Sequence, residues 1–144
     1  MKSVVHDCKA ELRASKLRVT PARLGVLDVL EHAERPVDVS TIIRLVAKQN
    51  LVVDDVTVFR ILHAFTAKGL AKEIQFNEGK LRYEYGANPE HHHFVCEKCG
   101  DVGVVENCNV DTLIESITKK TGAQVMSHSL EFFGLCRDCK RIAI

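Results

Sequence analysis

Two C-x-x-C pairs, Cys96-Glu97-Lys98-Cys99 and Cys136-Arg137-Asp138-Cys139, constrain this 144-residue chain more than any other feature of it. Four thiolates from two such knuckles suit a closed tetrahedral Zn²⁺ site, because zinc has no redox chemistry and favours soft sulfur at about 2.3 Å. Gly100, directly after the first pair, supplies the tight turn that lets backbone amides reach the sulfurs. Residues 100–135 separate the pairs, so the site must staple the start of the C-terminal region to its end. The competing readings are two ordinary disulfides or buried free thiols. The N-terminal stretch MKSVVHDCKAELRASK has no apolar h-region, and apolar runs fall far short of the roughly 20 residues that cross a bilayer. The chain therefore reads as cytosolic with no membrane partner, a setting in which thiols stay reduced and metal ligation is favoured.

Charge and cysteine divide the chain in opposite senses. The formal net charge of +1 speaks, taken alone, against DNA as a partner. Up to Gly86, however, 14 Lys+Arg stand against 11 Asp+Glu; beyond it the balance is 6 against 8, and five of the six cysteines lie there. The bias is strongest over residues 1–27, where Lys2, Lys9, Arg13, Lys16, Arg18 and Arg23 oppose only Asp7 and Glu11. A basic module joined to an acidic, ligand-rich one predicts domains at 1–86 and 91–144, with a hinge over 87–90 where Pro89 ends the preceding element.

Periodicity supplies the architecture, which is α+β. Thr20-Pro21 opens a helix of about 13 residues carrying Leu24, Leu27 and Leu30 at helical spacing. Asp38 caps a second, with Val39, Ile42, Ile43 and Val46 on one face, and a third runs from Thr57 to Lys68 before Gly69. The period then becomes two: Ile74 and Phe76, a turn at Asn77-Glu78-Gly79, and Leu81, Tyr83 and Tyr85 on the return. Three helices and a β-hairpin make a winged helix. Beyond it, Phe94–Cys96 and Val102–Val105 read as strands, Asp111–Thr121 as a helix presenting Leu113, Ile114 and Ile117, and Val125–Leu135 as a strand region. A β-β-α-β unit this small needs metal or a partner subunit to be stable.

Glu90-His91-His92-His93 precedes the first knuckle. In an extended chain, alternate side chains face opposite ways, so His91 and His93 share one side and Glu90 and His92 the other. Two metal sites can thus share one strand, with Glu84 completing the first and Asp111 and His128 the second. His6, His32 and His63 read as ordinary solvated or satisfied residues. Mixed N/O ligation admits Zn, Fe, Mn, Ni or Co, and spacing does not choose among them.

From about Ala10 to Cys139 the chain resembles the ferric uptake regulator (Fur) family of metal-responsive bacterial repressors. The resemblance rests on Arg18-Val19-Thr20-Pro21-Ala22-Arg23, Thr57-Val58-Phe59-Arg60, the run from Glu90 to His93, and Ser127-His128-Ser129. It implies an N-terminal winged helix that binds a palindromic, A/T-rich operator on double-stranded DNA, and a C-terminal α/β unit that forms a homodimer. It assigns Cys96, Cys99, Cys136 and Cys139 to structural zinc; Glu84, His91 and His93 to a regulatory divalent metal (Fe, Zn or Mn); and Glu90, His92, Asp111 and His128 to an additional site. Arg18, Thr57, Phe59 and Arg60 match the DNA-contacting positions, with Arg18 aimed at the minor groove and Arg60 at guanine or phosphate. The family more often has Tyr at the position of Phe59. Two regulatory ligands depart from the pattern: Pro36 stands where a His is usual and Val104 where an acid is usual, leaving Cys108, Glu106, His32 or water to complete the site. The Asp and Cys of many zinc-sensing members align with Lys72 and Gly86.

The expected function is metal-dependent transcriptional repression controlling metal-homeostasis or oxidative-stress genes, with no enzymatic activity. The alternatives are a thiol or peroxide redox sensor acting through the C-x-x-C pairs, Cys8 or Cys108, and a metallohydrolase. The hydrolase lacks an H-E-x-x-H or nucleophile motif.

Overall fold

The computed structural model describes residues 7–76, 78–106 and 108–142. The chain divides into two compact units, Met1–Asn88 and Pro89–Ile144. The first contains α1 (Cys8–Ala14), α2 (Pro21–His32), α3 (Val39–Ala47), α4 (Asp55–Ala67), β1 (Ala71–Gln75) and β2 (Leu81–Tyr85). The second contains β3 (His92–Cys96), β4 (Val102–Val105), α5 (Val110–Thr121), β5 (Glu131–Gly134) and α6 (Arg137–Ile142).

Each of the three main helices of the first unit starts where a short polar side chain takes up an orphan amide. The Thr20 hydroxyl accepts from Arg23 N–H at 3.2 Å, the Asp38 carboxylate from Thr41 N–H at 2.9 Å, and the Asp54 carboxylate from Thr57 N–H at 2.8 Å. The Asp54 cap explains why α4 begins at Asp55, two residues before the start expected from its apolar stripe. Leu27, Leu30, Ile42, Val46, Val58, Leu62 and Phe65 are buried in one core, joined by Val26, which the Leu24/27/30 spacing does not include. Leu24 is only partly buried.

Periodicity also gives no sign of α1, a seven-residue helix that buries only Leu12. A single apolar position leaves no period to detect; its one local signal is Asp7, whose carboxylate accepts from Ala10 N–H at 3.1 Å. What fastens α1 is a distant partner. The Tyr85 phenol donates to the Glu11 carboxylate, 2.7 and 2.8 Å from its two oxygens, and burial together with this acceptor pushes the phenol's pKa upward. Tyr85→Phe is expected to cost about 1.5–3 kcal/mol, the usual worth of a hydrogen bond to a charged group, and to speed amide exchange selectively in α1. Unchanged protection there would mean that the Tyr85–Glu11 bond does not hold the helix.

β1 and β2 pair antiparallel, with Ala71 opposite Tyr85 and Gln75 opposite Leu81. At the hairpin end, the Arg82 guanidinium donates to both Glu78 carboxylate oxygens at 2.8 and 2.9 Å and to the Pro36 carbonyl at 3.3 Å, while Lys80 reaches Asp38 at 2.8 Å. Asn77 of the expected turn lies outside the described residues. A bridge between Val37 and Tyr83 ties the segment before α3 to β2.

The second unit is a three-stranded sheet in the order β4-β3-β5, with β3 antiparallel to β4 and parallel to β5. Asn109 caps α5, so the helix starts at Val110, and Gly122 ends it in the left-handed region at φ 69°. Of the strand region expected over 125–135, only Glu131–Gly134 pairs, because β3 offers a short parallel register from His93 to Cys96. α6 has no counterpart in the expected elements: it starts directly after Cys136, and it carries and buries Cys139, the other cysteine of the second pair. Few side chains of this unit are buried, chiefly Val95, Cys96, Val102, Val110 and Cys139 beside His92 and His93, whereas Leu113, Ile117, Phe132 and Phe133 are exposed.

Candidate metal centres and nucleic-acid face

The thiols of Cys96, Cys99, Cys136 and Cys139 lie within 4.8 Å of one another, and none of the four is in a disulfide. Cys96 ends β3, and the turn after it closes through Gly100 N–H to the Cys96 carbonyl at 2.9 Å, with Gly100 at φ 76°. That turn aims the Cys99 N–H at the Cys96 sulfur (3.5 Å), and the second knuckle adds the Cys136 N–H (3.3 Å). These two amides hold the Cys96 thiol down at about 6. The Cys136 sulfur and burial push Cys139 up to about 12, and Cys99 also moves upward beside Cys96. One sulfur is thus a ready thiolate whose negative charge makes its neighbours hold their protons. A divalent cation removes that conflict, and four convergent sulfurs with no oxygen ligand among them fit zinc in a structural role.

β3 and the residue that leads into it turn the histidines to two sides. His91 and His93 approach Nε2 to Nε2 at 3.1 Å, with ring centroids 4.8 Å apart. The His92 ring lies 5.5 Å from that of His128, whose Nε2 is 2.9 Å from a Glu90 carboxylate oxygen. Glu90, His92 and His128 offer ligand atoms within 4.8 Å of one another; Asp111, exposed in the first turn of α5, is not among them. α5 begins at Val110 and carries Asp111 on its solvent side. Neither Glu106 nor Cys108 joins His91 and His93 among the described residues. Glu84 belongs to the first unit, where β2 buries it.

The first unit holds a grouping absent from the sequence-based site set: Cys8, Asp28 and Glu31 converge within 4.8 Å. The i, i+3 spacing of the two carboxylates on α2 is the one local signal for it. The Cys8 thiol donates to Glu31 at 3.6 Å, and burial, then Glu31, push it up to about 11.

Of the DNA-contact candidates, Arg18, Thr57 and Arg60 line one shallow concavity. Phe59, 48% exposed, lines a different one with Val39 and Leu81.

The model of the ferric uptake regulator family matches residues 14–133. The chain belongs to the ferric uptake regulator family. It is 33% identical over 132 residues to the ferric uptake regulation protein of Neisseria gonorrhoeae, covering 91% of this chain and 92% of that protein. It is 32% identical over 137 residues to the transcriptional regulator FurA of Mycobacterium tuberculosis, covering 95% and 92%. The solved ferric uptake regulator of Vibrio cholerae superposes with a TM-score of 0.79 at 27% identity, over 90% of this chain and 100% of that one. As a Fur-family chain it is a metal-responsive transcriptional regulator.

The departures of this Fur-family chain fall at informative places. Val104 is the antiparallel partner of His93, so its side chain emerges on the same face of the sheet as that imidazole. Pro36 precedes the Val37–Tyr83 bridge and so comes into register with Glu84. The two replaced positions are therefore neighbours of retained ones. Gly86 is fixed by packing: a Cβ there would overlap the Gly69 carbonyl, so a cysteine at this position is excluded by the backbone itself.

Proposed function

We propose that this chain is a cytoplasmic, homodimeric, metal-dependent repressor, in which residues 1–86 read an A/T-rich palindromic operator through Arg18, Thr57, Phe59 and Arg60. Residues 87–90 are the hinge, and residues 91–144 dimerise and hold metal. Cys96, Cys99, Cys136 and Cys139 carry structural zinc. Glu84, His91 and His93 carry the regulatory divalent metal, Fe, Zn or Mn, and Glu90, His92 and His128 a further one. The metal shifts the dimer toward the DNA-competent arrangement by binding it more tightly than the alternative.

One observation carries this reading: a strand with an imidazole pair on one face and a Glu-His-His group on the other, in a chain whose α4 presents Phe59 and Arg60 to solvent. The exposed Leu113, Ile117, Phe132 and Phe133 support dimerisation, since a unit with so few buried side chains gains its core by covering them. No helix among the described residues is long and apolar enough to cross a membrane. The redox alternative fares worse at Cys8, because a thiol raised to about 11 holds little thiolate at neutral pH.

The test uses protein that retains its zinc but is stripped of other metal, titrated with duplex DNA selected from a random pool, with Fe, Mn, Zn, Ni or Co added in turn. At least one metal is expected to tighten binding of a dimer, whose state sedimentation reports. Equal affinity with and without every metal would sink the regulatory role.

A further inference from the structure

Arg18, Arg23 and Arg60 converge on a single concavity, whose lining also includes Thr57 and contains no carboxylate among the described residues. Arg23 is the one of the three outside the proposed operator-reading set. Its backbone N–H is taken by the Thr20 hydroxyl at 3.2 Å, and its guanidinium Nη1 donates to the Arg18 carbonyl at 2.8 Å. That second bond spans from the first turn of α2 back to the segment that carries Arg18, so Arg23 sets where Arg18 stands. A guanidinium has five N–H donors, and one suffices for this bond. Arg60 enters from α4, whose first turn also presents Thr57. The N-cap Asp54, whose charge Arg60 stabilises, is committed to Thr57 N–H.

Three arginines that line one hollow make the potential there positive, which favours an anion beside them. Guanidinium forks match the oxygens of a phosphate bidentately, and the first turns of two helices add partial positive charge to the same place.

We propose that this hollow seats a backbone phosphate of duplex DNA, and that Arg23 builds the seat by pinning the Arg18 backbone and adding its own positive charge. The inference rests on the DNA-binding reading and adds to it the residue that organises the phosphate contact. Such a contact carries no sequence information; it sets the register in which α4 and Arg18 meet the bases.

The experiment compares full-length, metal-loaded wild type, Arg23→Gln and Arg23→Lys on the duplex selected by the wild type and on an unrelated duplex, across a salt series. Arg23→Gln is expected to weaken both duplexes by a similar factor, about tenfold, and to lower the slope of log K against log salt by about 0.9 for each phosphate that is no longer neutralised. Arg23→Lys keeps the charge and hence most of the slope. It lacks the planar fork that reaches the Arg18 carbonyl, so its effect should be non-additive with that of Arg18→Ala. Zinc content and thermal midpoint report whether each variant is folded, and Arg23→Lys carries the test if Arg23→Gln is not. Wild-type affinity and slope in both Arg23 variants would overturn the seat while leaving DNA binding in place. A wild type that binds no duplex would overturn the reading beneath it. Inorganic phosphate added at constant ionic strength distinguishes the two sources of the anion. Displacement of the unrelated duplex no better than by chloride is expected, whereas efficient displacement that depends on Arg23 would reassign the hollow to the free ion.

Discussion

Cys96→Ser is expected to release the zinc and unfold residues 89–144. Cys96 is the sulfur on which both knuckles close, since it accepts the Cys99 and Cys136 amides, and it ends the central strand of the sheet. Structural zinc contributes on the order of 10 kcal/mol to folding, and the few buried side chains of this unit cannot replace it. Zinc released per chain, read with a colorimetric chelator, should approach one equivalent. Amide dispersion from the second unit should collapse, while signals of the helical core around Phe65 persist, because that core lies wholly in the other unit. A Cys96→Ser protein that retains zinc and a folded second unit would remove Cys96 from the site.

Val104→Glu is expected to tighten the regulatory metal at least about tenfold. Residues directly opposite in an antiparallel pair have Cβ atoms about 4.5–5.5 Å apart, so a carboxylate at 104 would stand beside the His93 imidazole. Adding an anionic oxygen to an imidazole pair and one carboxylate raises both ligand count and charge, the quantities that set divalent-metal affinity. Val104 is 39% exposed on a strand at the sheet edge, so the substitution costs little in packing. Competition with a fluorescent chelator, on protein that keeps its structural zinc, measures the change. Unaltered affinity would mean that the regulatory metal is not held on the His93 face of β3.

Much of this molecule is legible in its local sequence. The caps Thr20 and Asp38 sit directly before apolar stripes, so α2 and α3 can be placed from spacing alone. Asp54 is harder to read as a cap because Val56 follows it and is exposed, which blurs the stripe. Elements without a stripe leave little trace: α1 buries one leucine and is marked only by its cap, and α6 is fixed by a cysteine pair and not by a pattern. The long strand expected over 125–135 fails for the opposite reason. Its apolar residues suit an extended chain, but a strand exists only where a neighbour offers hydrogen bonds, and β3 does so only as far as Glu131–Gly134.

The same division holds for the sites. The sequence alone singled out the two cysteine pairs, because C-x-x-C geometry is local, and put His91/His93 and Glu90/His92 on opposite sides, because an extended chain alternates with period two; that the two pairs meet is tertiary. Tertiary structure alone decided that Asp111 stands apart from Glu90, His92 and His128, that Val104 faces the same side as His93, that Cys8 meets Asp28 and Glu31, and that Arg23 fastens Arg18. Those relations depend on register and on which helix faces meet. Spacing along a chain carries no information about either until the core has closed.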